Sequence, residues 1–396
     1  MTTRLAIDAD YLLNTLKRLL EIPSPTGYTD PIVSFVTAEL ERLGQTVELT
    51  RRGAIRAIRP GKERCRGARA IVSHVDTIGA QVKALKDNGR AGLVPVGHWS
   101  ARFAEGARAT VFAEKGSYRG TILPLKASGH TFNEEVDSLP FGWEYVELRI
   151  DALARDKADL QRLGIDIGDI VAIDPQPEFL ENGFIVSRHL DNKAGVALTL
   201  AALKALEDEN AVTPVDIHWL FTIAEEVGVG ASSIITNDVV SIITVDNGTT
   251  APGQNSDEFG VTIAMADQTG PFDYHLTKKL VELCRANEIR YQKDIFRHYR
   301  CDSASAIEAG ADVRTALIAF GVDASHGYER IHMHALRSLA ELITSYVVSA
   351  VAIKRDFQET ADKTGFTHQS TRKAKQRLSP EDDGELMKGP APVPQR

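Results

Sequence analysis

The stretch Ser187-Arg188-His189-Leu190-Asp191-Asn192-Lys193-Ala194-Gly195 decides the fold. It closes an apolar run of strand character (Phe184, Ile185, Val186) and opens one with helical spacing (Val196, Leu198, Leu200, Leu203). An Asp at such a junction sits at the carboxyl end of a strand, where open α/β sheets place their ligands. Asp is also a favoured helix N-cap, and taken alone the stretch is explained more simply that way. Four other positions change the balance. His74, Glu226, Asp246 and His326 each end an apolar β-like run or lie in the loop after one.

The elements around this junction alternate as an α/β chain should. Leu12, Leu13, Leu16, Leu19 and Leu20 recur at helical spacing. That helix stops near Ile22, because Pro23 and Pro25 disfavour helix in the residues before them. A second helix starts at Pro31 and runs to Gly44. Residues 46–50, 54–58 and 68–73 read as strands, the last ending at His74-Val75-Asp76. Beyond Phe184 come a helix over 192–206, strands over 215–223, 239–245, 261–264 and 314–319, and helices over 272–286 and 336–353. Asp246-Asn247-Gly248 reads as the turn closing its strand. Between these halves, residues 81–182 are punctuated by Gly and Pro, with short strands at 110–112, 121–125, 145–150 and 170–173 and helical spacing only at 156–163. The expectation is a mixed-sheet α/β domain with helices on both faces, made of residues 1–80 and 183–353, with a small β-barrel-like domain inserted at 81–182. Residues 354–396 are polar, with a basic cluster (Arg372, Lys373, Lys375, Arg377) and an acidic one (Glu381, Asp382, Asp383, Glu385), and read as a disordered tail.

Composition narrows the function. With 396 residues the chain can build one large or two ordinary cores. Lys plus Arg number 46 against 54 Asp plus Glu, and the net charge of −8 argues against a nucleic-acid-binding surface. Cys65, Cys284 and Cys301 are odd in number and lack metal-type pairing, which fits a reducing compartment. The first residues lack the apolar core of a secretory signal, and no run approaches a membrane span. A cytoplasmic protein without nucleic-acid or membrane partners is expected.

His74, Asp191, Glu226, Asp246 and His326 form a donor set of two imidazoles and three carboxylates, suited to zinc and also to cobalt or manganese. One carboxylate can bridge, leaving each of two divalent ions a His and a carboxylate of its own. Asp191 is the candidate bridge. Asp76 is placed to accept the second N–H of His74 and fix its tautomer. Glu225 remains free beside Glu226, as a general base for water requires. Each piece alone has an ordinary reading in a turn or on a surface. Their joint position at strand ends is what carries the inference.

The series His74-Val-Asp76, Asp191-Asn-Lys, Glu225-Glu226, Val245-Asp246 and His326-x-x-Glu329 resembles the TET-type co-catalytic metallopeptidases, the family of glutamyl aminopeptidases and proteins once named cellulase M. The likeness covers roughly residues 9–350 in motif order and spacing. It implies His74 and Asp246 on one metal, Glu226 and His326 on the other, and Asp191 on both. It also implies that residues 81–182 are a dimerisation barrel, with dimers assembling into dodecameric, often tetrahedral, particles. The chain departs from the family at Cys301-Asp302-Ser303, where Thr-Asp is usual, and around His326, where relatives carry an Arg-Tyr before and a Ser or Thr after. A further likeness, to a bacterial subgroup linked to an N-acetylglutaminylglutamine amide osmoprotectant, rests on no single motif.

The leading expectation is an aminopeptidase that removes N-terminal residues from short peptides, with Glu225 as base. An acylase or dipeptidase acting on an N-acylated amino acid or dipeptide is the near alternative. A glycosidase using Glu225 and Glu226 is disfavoured, since neighbours on a strand face opposite ways. A non-catalytic binding protein would be expected to lack a ligand or Glu225. His332 and His334, two apart on a predicted helix, should not share a face, and His189 is read as a neighbour of the site only.

Overall fold

The computed structural model describes residues 4–63, 67–360 and 362–371. Cys65 and the charged clusters after residue 371 lie outside the described residues. Residues Met1–Ala352 form one compact unit and Ile353–Arg396 a second.

The first unit is built on a nine-stranded mixed sheet. Its strands are β1 (Val47–Leu49), β2 (Ile55–Arg59) and β3 (Ala68–His74) before the insertion. Inside the insertion lie β4 (Gly79–Leu85), β5 (Arg90–Val96), β6 (Arg108–Ala113), β7 (Gly116–Pro124), β8 (Val146–Ile150) and β9 (Ile170–Ile173). They are followed by β10 (Glu178–Phe179), β11 (Phe184–Ser187), β12 (Ile217–Thr222), β13 (Val239–Thr249), β14 (Val261–Asp267), β15 (Gly270–Pro271), β16 (Tyr291–Ile295), β17 (Arg314–Val322) and β18 (Glu329–His332). The large sheet runs β1-β2-β12-β3-β13-β17-β14-β15, with β16 paired to β14. Its centre, β12-β3-β13-β17, is parallel. Parallel strands are buried on both faces, and β3 and β12, apolar at most positions, are buried throughout.

The helices are α1 (Ala9–Glu21), α2 (Asp30–Arg42), α3 (Gly129–Phe132), α4 (Lys157–Leu163), α5 (Leu190–Asp208), α6 (Tyr274–Ala286), α7 (Asp302–Glu308) and α8 (Met333–Val348). Side chains alternate along a strand, so the bonds they make reveal the layers. Ser73 bonds Thr199 of α5. Thr244, in register with Val72 next to it, bonds Ser303 of α7. α5 and α7 therefore cover opposite faces, as expected from the sequence.

The insertion is a closed antiparallel barrel, β4-β5-β8-β7-β6-β9, around Val82, Leu93, Val111, Leu148 and Val171. Closure removes the open edges that short strands would otherwise expose. β10 pairs with β11 in a separate three-stranded sheet, so residues 178–179 lie outside the barrel. β4 and β5 escaped the sequence reading. Gly92 and Pro95 interrupt β5, and for both strands the barrel partners supply what local pattern does not.

Two boundaries differ from expectation. β13 does not turn at Asp246-Asn247-Gly248 but continues to Thr249, because β17 extends beside it and pairs residue for residue up to Val322. α8 stops at Val348 rather than Ile353. The buried Arg69 guanidinium donates to the carbonyls of Tyr346, Ser349 and Ala350, satisfying groups that a helix end leaves open. Ile353 falls in the second unit, where Lys354–Phe357 form a 3-10 turn and Arg355 lies over the Phe366 ring.

Candidate active site

β3 and β13 are parallel neighbours, so His74 at the end of one and Asp246 near the end of the other project from the same sheet edge. Asp191 joins them from the first turn of α5. Its backbone is non-helical there, and its side chain enters the site instead of capping the helix. Asn192 supports this start by donating to the Val245 carbonyl, and its amide lies where a Cβ on Gly195 would be, 1.9 Å from Oδ1. Glu225 and Glu226 occupy a turn after β12, not a strand. Their divergence is therefore set by the turn and not by strand alternation. His326 lies in the loop after β17, at positive φ.

The five expected ligand residues come together. His74 Nε2 is 3.2 Å from Asp191 Oδ1 and 3.7 Å from Asp246 Oδ1. His326 Nε2 is 3.2 Å from Asp191 Oδ2 and 3.3 Å from Glu226 Oε2. Asp191 thus faces one His with each oxygen. Glu225 Oε2 also lies 3.8 Å from His74 Nε2.

The supporting bonds fix the imidazole tautomers. His74 Nδ1 bonds the Asp76 carbonyl at 3.0 Å, and His326 Nδ1 bonds the His98 carbonyl at 2.8 Å. A carbonyl only accepts, so each Nδ1 carries a proton and Nε2 is the atom turned to the carboxylates. The Asp76 carboxylate does less for His74 than expected, at 3.6 Å from Nδ1. It accepts from Thr26 Oγ1 at 2.6 Å and from the backbone N–H groups of Glu225 and Glu226. Asp76 therefore holds the Glu225-Glu226 turn against the end of β3. Asn247 donates to Asp191 Oδ2 at 2.6 Å, and the Glu329 carboxylate accepts from the Asp191 and His326 backbones. Asn247 was hidden from the sequence reading by the turn assigned to its segment.

The two Glu residues are held differently. Glu226 Oε1 accepts from the Ile78 N–H, and its side chain is 2% exposed. Glu225 is 13% exposed, and among the described residues no hydrogen bond reaches its carboxylate. It faces a cavity of about 1150 Å³ whose wall also includes Trp99, Phe103, Arg297 and Tyr299.

Electrostatically the cluster is a crowd of buried carboxylates. Burial pushes the Glu225 carboxyl well up against the pull of His74, and Asp246, Asp302 and Glu226 add to the rise. Burial likewise raises Glu226 and Asp246, with Asp191 adding to both. Glu329 is pushed up to about 8 and Asp302 to about 7, chiefly by burial. Burial opposes a proton on His74, but the Asp191 and Asp246 carboxylates outweigh it and hold the imidazole well above its usual range. Buried Asp191 Oδ1 accepts no hydrogen bond. Crowded carboxylates, two Nε2 atoms turned inward and an orphaned oxygen fit divalent cations. The sets His74–Glu225–Asp246 and His74–Asp191–Glu226 are each compact enough to hold one.

Other histidines stand apart from this cluster. His332 ends β18 and caps α8 by accepting from the His334 N–H, with the two rings 4.5 Å apart. They do touch, contrary to the helical reading, because His332 is not yet in the helix. His189 Nε2 bonds the Ile173 carbonyl. Among the described residues, no helix is long and apolar enough to cross a membrane.

This fold recurs in known proteins. YhfE of Bacillus subtilis (strain 168), provisionally named an aminopeptidase, is 36% identical over 338 residues, 85% of this chain and 97% of its own. A TET aminopeptidase from a marine-sediment thaumarchaeon superposes with a TM-score of 0.77 at 17% identity, over 86% of this chain and 96% of that one. The Pyrococcus horikoshii TET1 peptidase, which assembles into a tetrahedron or a large octahedral shell, gives 0.76 at 20% identity over 86% and 100%. The sequence profile of the M42 glutamyl aminopeptidases matches residues 53–342. The chain belongs to the M42 glutamyl aminopeptidase family and is a peptidase.

Proposed function

We propose that this protein is an aminopeptidase that cleaves N-terminal residues from short peptides at a site for two divalent ions, zinc foremost, with cobalt or manganese as alternatives. The observation that carries the reading is Asp191, whose two oxygens face His74 and His326 separately. His74 and Asp246 would hold one ion, Glu226 and His326 the other, and Asp191 both. Such a pair supplies Lewis acidity toward a carbonyl oxygen and lowers the pKa of water.

The chain's own residues perform the proton chemistry. Glu225 takes a proton from the attacking water at its carboxylate and returns it to the departing amine nitrogen. Asp76 keeps Glu225 in place through the backbone N–H it binds. Trp99 and Phe103, contributed by the inserted segment, line the same cavity. An acylase or dipeptidase remains the competing reading, without a specific observation in its favour.

The test is a panel of free peptides and N-acyl amino acids, assayed on metal-free protein with each ion added back. Two ions per chain and release of N-terminal residues from peptides are expected. Activity confined to N-acyl substrates, or one ion at saturation, would overturn the reading. We also propose that the barrel at 81–182 mediates dimerisation, and that dimers build a dodecamer like the TET assemblies. Light scattering should then find a particle far larger than one chain, and a strict monomer at micromolar concentration would sink the idea. Cys284 and Cys301 are buried free thiols, which supports a reducing, cytoplasmic setting.

A further inference from the structure

Tyr299 has no role in the account so far. It sits between β16 and α7, just before Cys301-Asp302-Ser303, and its ring packs on Phe296. The backbone is pinned, since its carbonyl accepts from the Gln268 N–H at 2.9 Å. The hydroxyl is buried yet makes no hydrogen bond. A buried hydroxyl without a partner costs stability, so the fold does not keep it for that purpose. Tyr299 lines the same cavity as Asp191, Glu225, Glu226, Asp246 and His326. Asp246, Asp191 and Glu225 are among the charged groups whose field reaches the hydroxyl.

We infer that Tyr299 is a catalytic residue whose hydroxyl donates a hydrogen bond to the oxygen of the scissile carbonyl as it becomes an oxyanion. The proposal rests on the aminopeptidase reading above. In the step it serves, the water oxygen bonds the carbonyl carbon and the carbonyl π pair moves onto its oxygen. The water's proton passes to Glu225. When the tetrahedral centre collapses, the C–N bond breaks and the nitrogen receives that proton. Tyr299 keeps its own proton throughout. A donor fixed before reaction needs no reorganisation as charge develops, which is why such donors are worth much in a site closed to bulk water. The orphaned hydroxyl is what a donor awaiting its acceptor looks like. Among uncharged donors, a phenol suits this place because the ring anchors it on Phe296 while its tip reaches the carboxylate cluster.

Tyr299→Phe removes the oxygen alone. On the metal-loaded protein, kcat/KM should fall by about 10²-fold or more. Affinity for a peptide phosphinate, which mimics the tetrahedral centre, should fall by the same factor. Binding of a free amino-acid product and metal content should stay as in the parent, and Tm should hold or rise, because the unpaired buried hydroxyl is gone. This pattern separates transition-state donation from a structural role, which would lower Tm or metal content instead. Turnover within threefold of the parent, or loss of metal, overturns the assignment while leaving the aminopeptidase reading standing. A parent protein that hydrolyses no peptide overturns both.

Discussion

Glu225→Gln should lower kcat by about 10²- to 10⁴-fold, the range typical of losing a positioned base, while metal content stays at the parent's level. Glutamine keeps the shape and polarity of the side chain but cannot take a proton. The structure distinguishes it from its neighbour: Glu226 is tied to the Ile78 N–H and faces His326, whereas the Glu225 carboxylate accepts no hydrogen bond from the described residues and opens on the cavity. Glu226→Gln should therefore lose metal together with activity. Glu225 does stand 3.8 Å from His74 Nε2 and could complete a compact set with Asp246. The measurement that decides is metal content beside turnover for both variants. A Glu225→Gln protein that emptied a site, or that turned over normally, would reverse the two roles.

How much of this was legible follows from which interactions are local. The layers of the fold were readable because β3 and β12 are buried on both faces and carry the apolar stretches Ala70-Ile71-Val72 and Trp219-Leu220-Phe221. The ligand residues were readable because strand ends are where such folds gather ligands. What was misread depends on distant partners. Asp246-Asn247-Gly248 has turn chemistry, yet β17 offers it a full ladder, and strand pairing overrides local preference. α8 ends where Arg69, 277 residues away in sequence from Tyr346, takes the carbonyls. Asp76 was placed on the His74 imidazole by proximity in sequence, but its carboxylate bonds Thr26 and the backbone of the Glu225-Glu226 turn, the latter brought to it by the β3-β12 pairing. Tyr299 carries no motif at all. Only the cavity reveals that its hydroxyl is unmatched.

Asp191→Ala should abolish metal-induced stabilisation altogether, where His74→Ala should remove only part of it. An ion that binds the native state and not the unfolded chain stabilises by about 2.7 kcal/mol when present at 100 times its Kd, so Tm reports occupancy without any substrate. In the parent each ion would rely on one His, one private carboxylate and a share of Asp191. Loss of a supporting bond near a metal typically costs roughly 10- to 100-fold in affinity, and loss of a shared ligand should cost more than that at each site. The metal-free proteins should differ little. Asp191 raises the carboxyl groups of Asp246, Glu226 and Glu329, so its removal relieves repulsion in the empty cluster while forfeiting the attraction to His74 and His326. The metal-free variant should consequently melt close to the metal-free parent, and the two should separate only as ions are added. Calorimetric scans across a zinc or cobalt titration test this. If Asp191→Ala kept the parent's full rise in Tm, the residue would not bridge, and the two-ion arrangement built on it would fall.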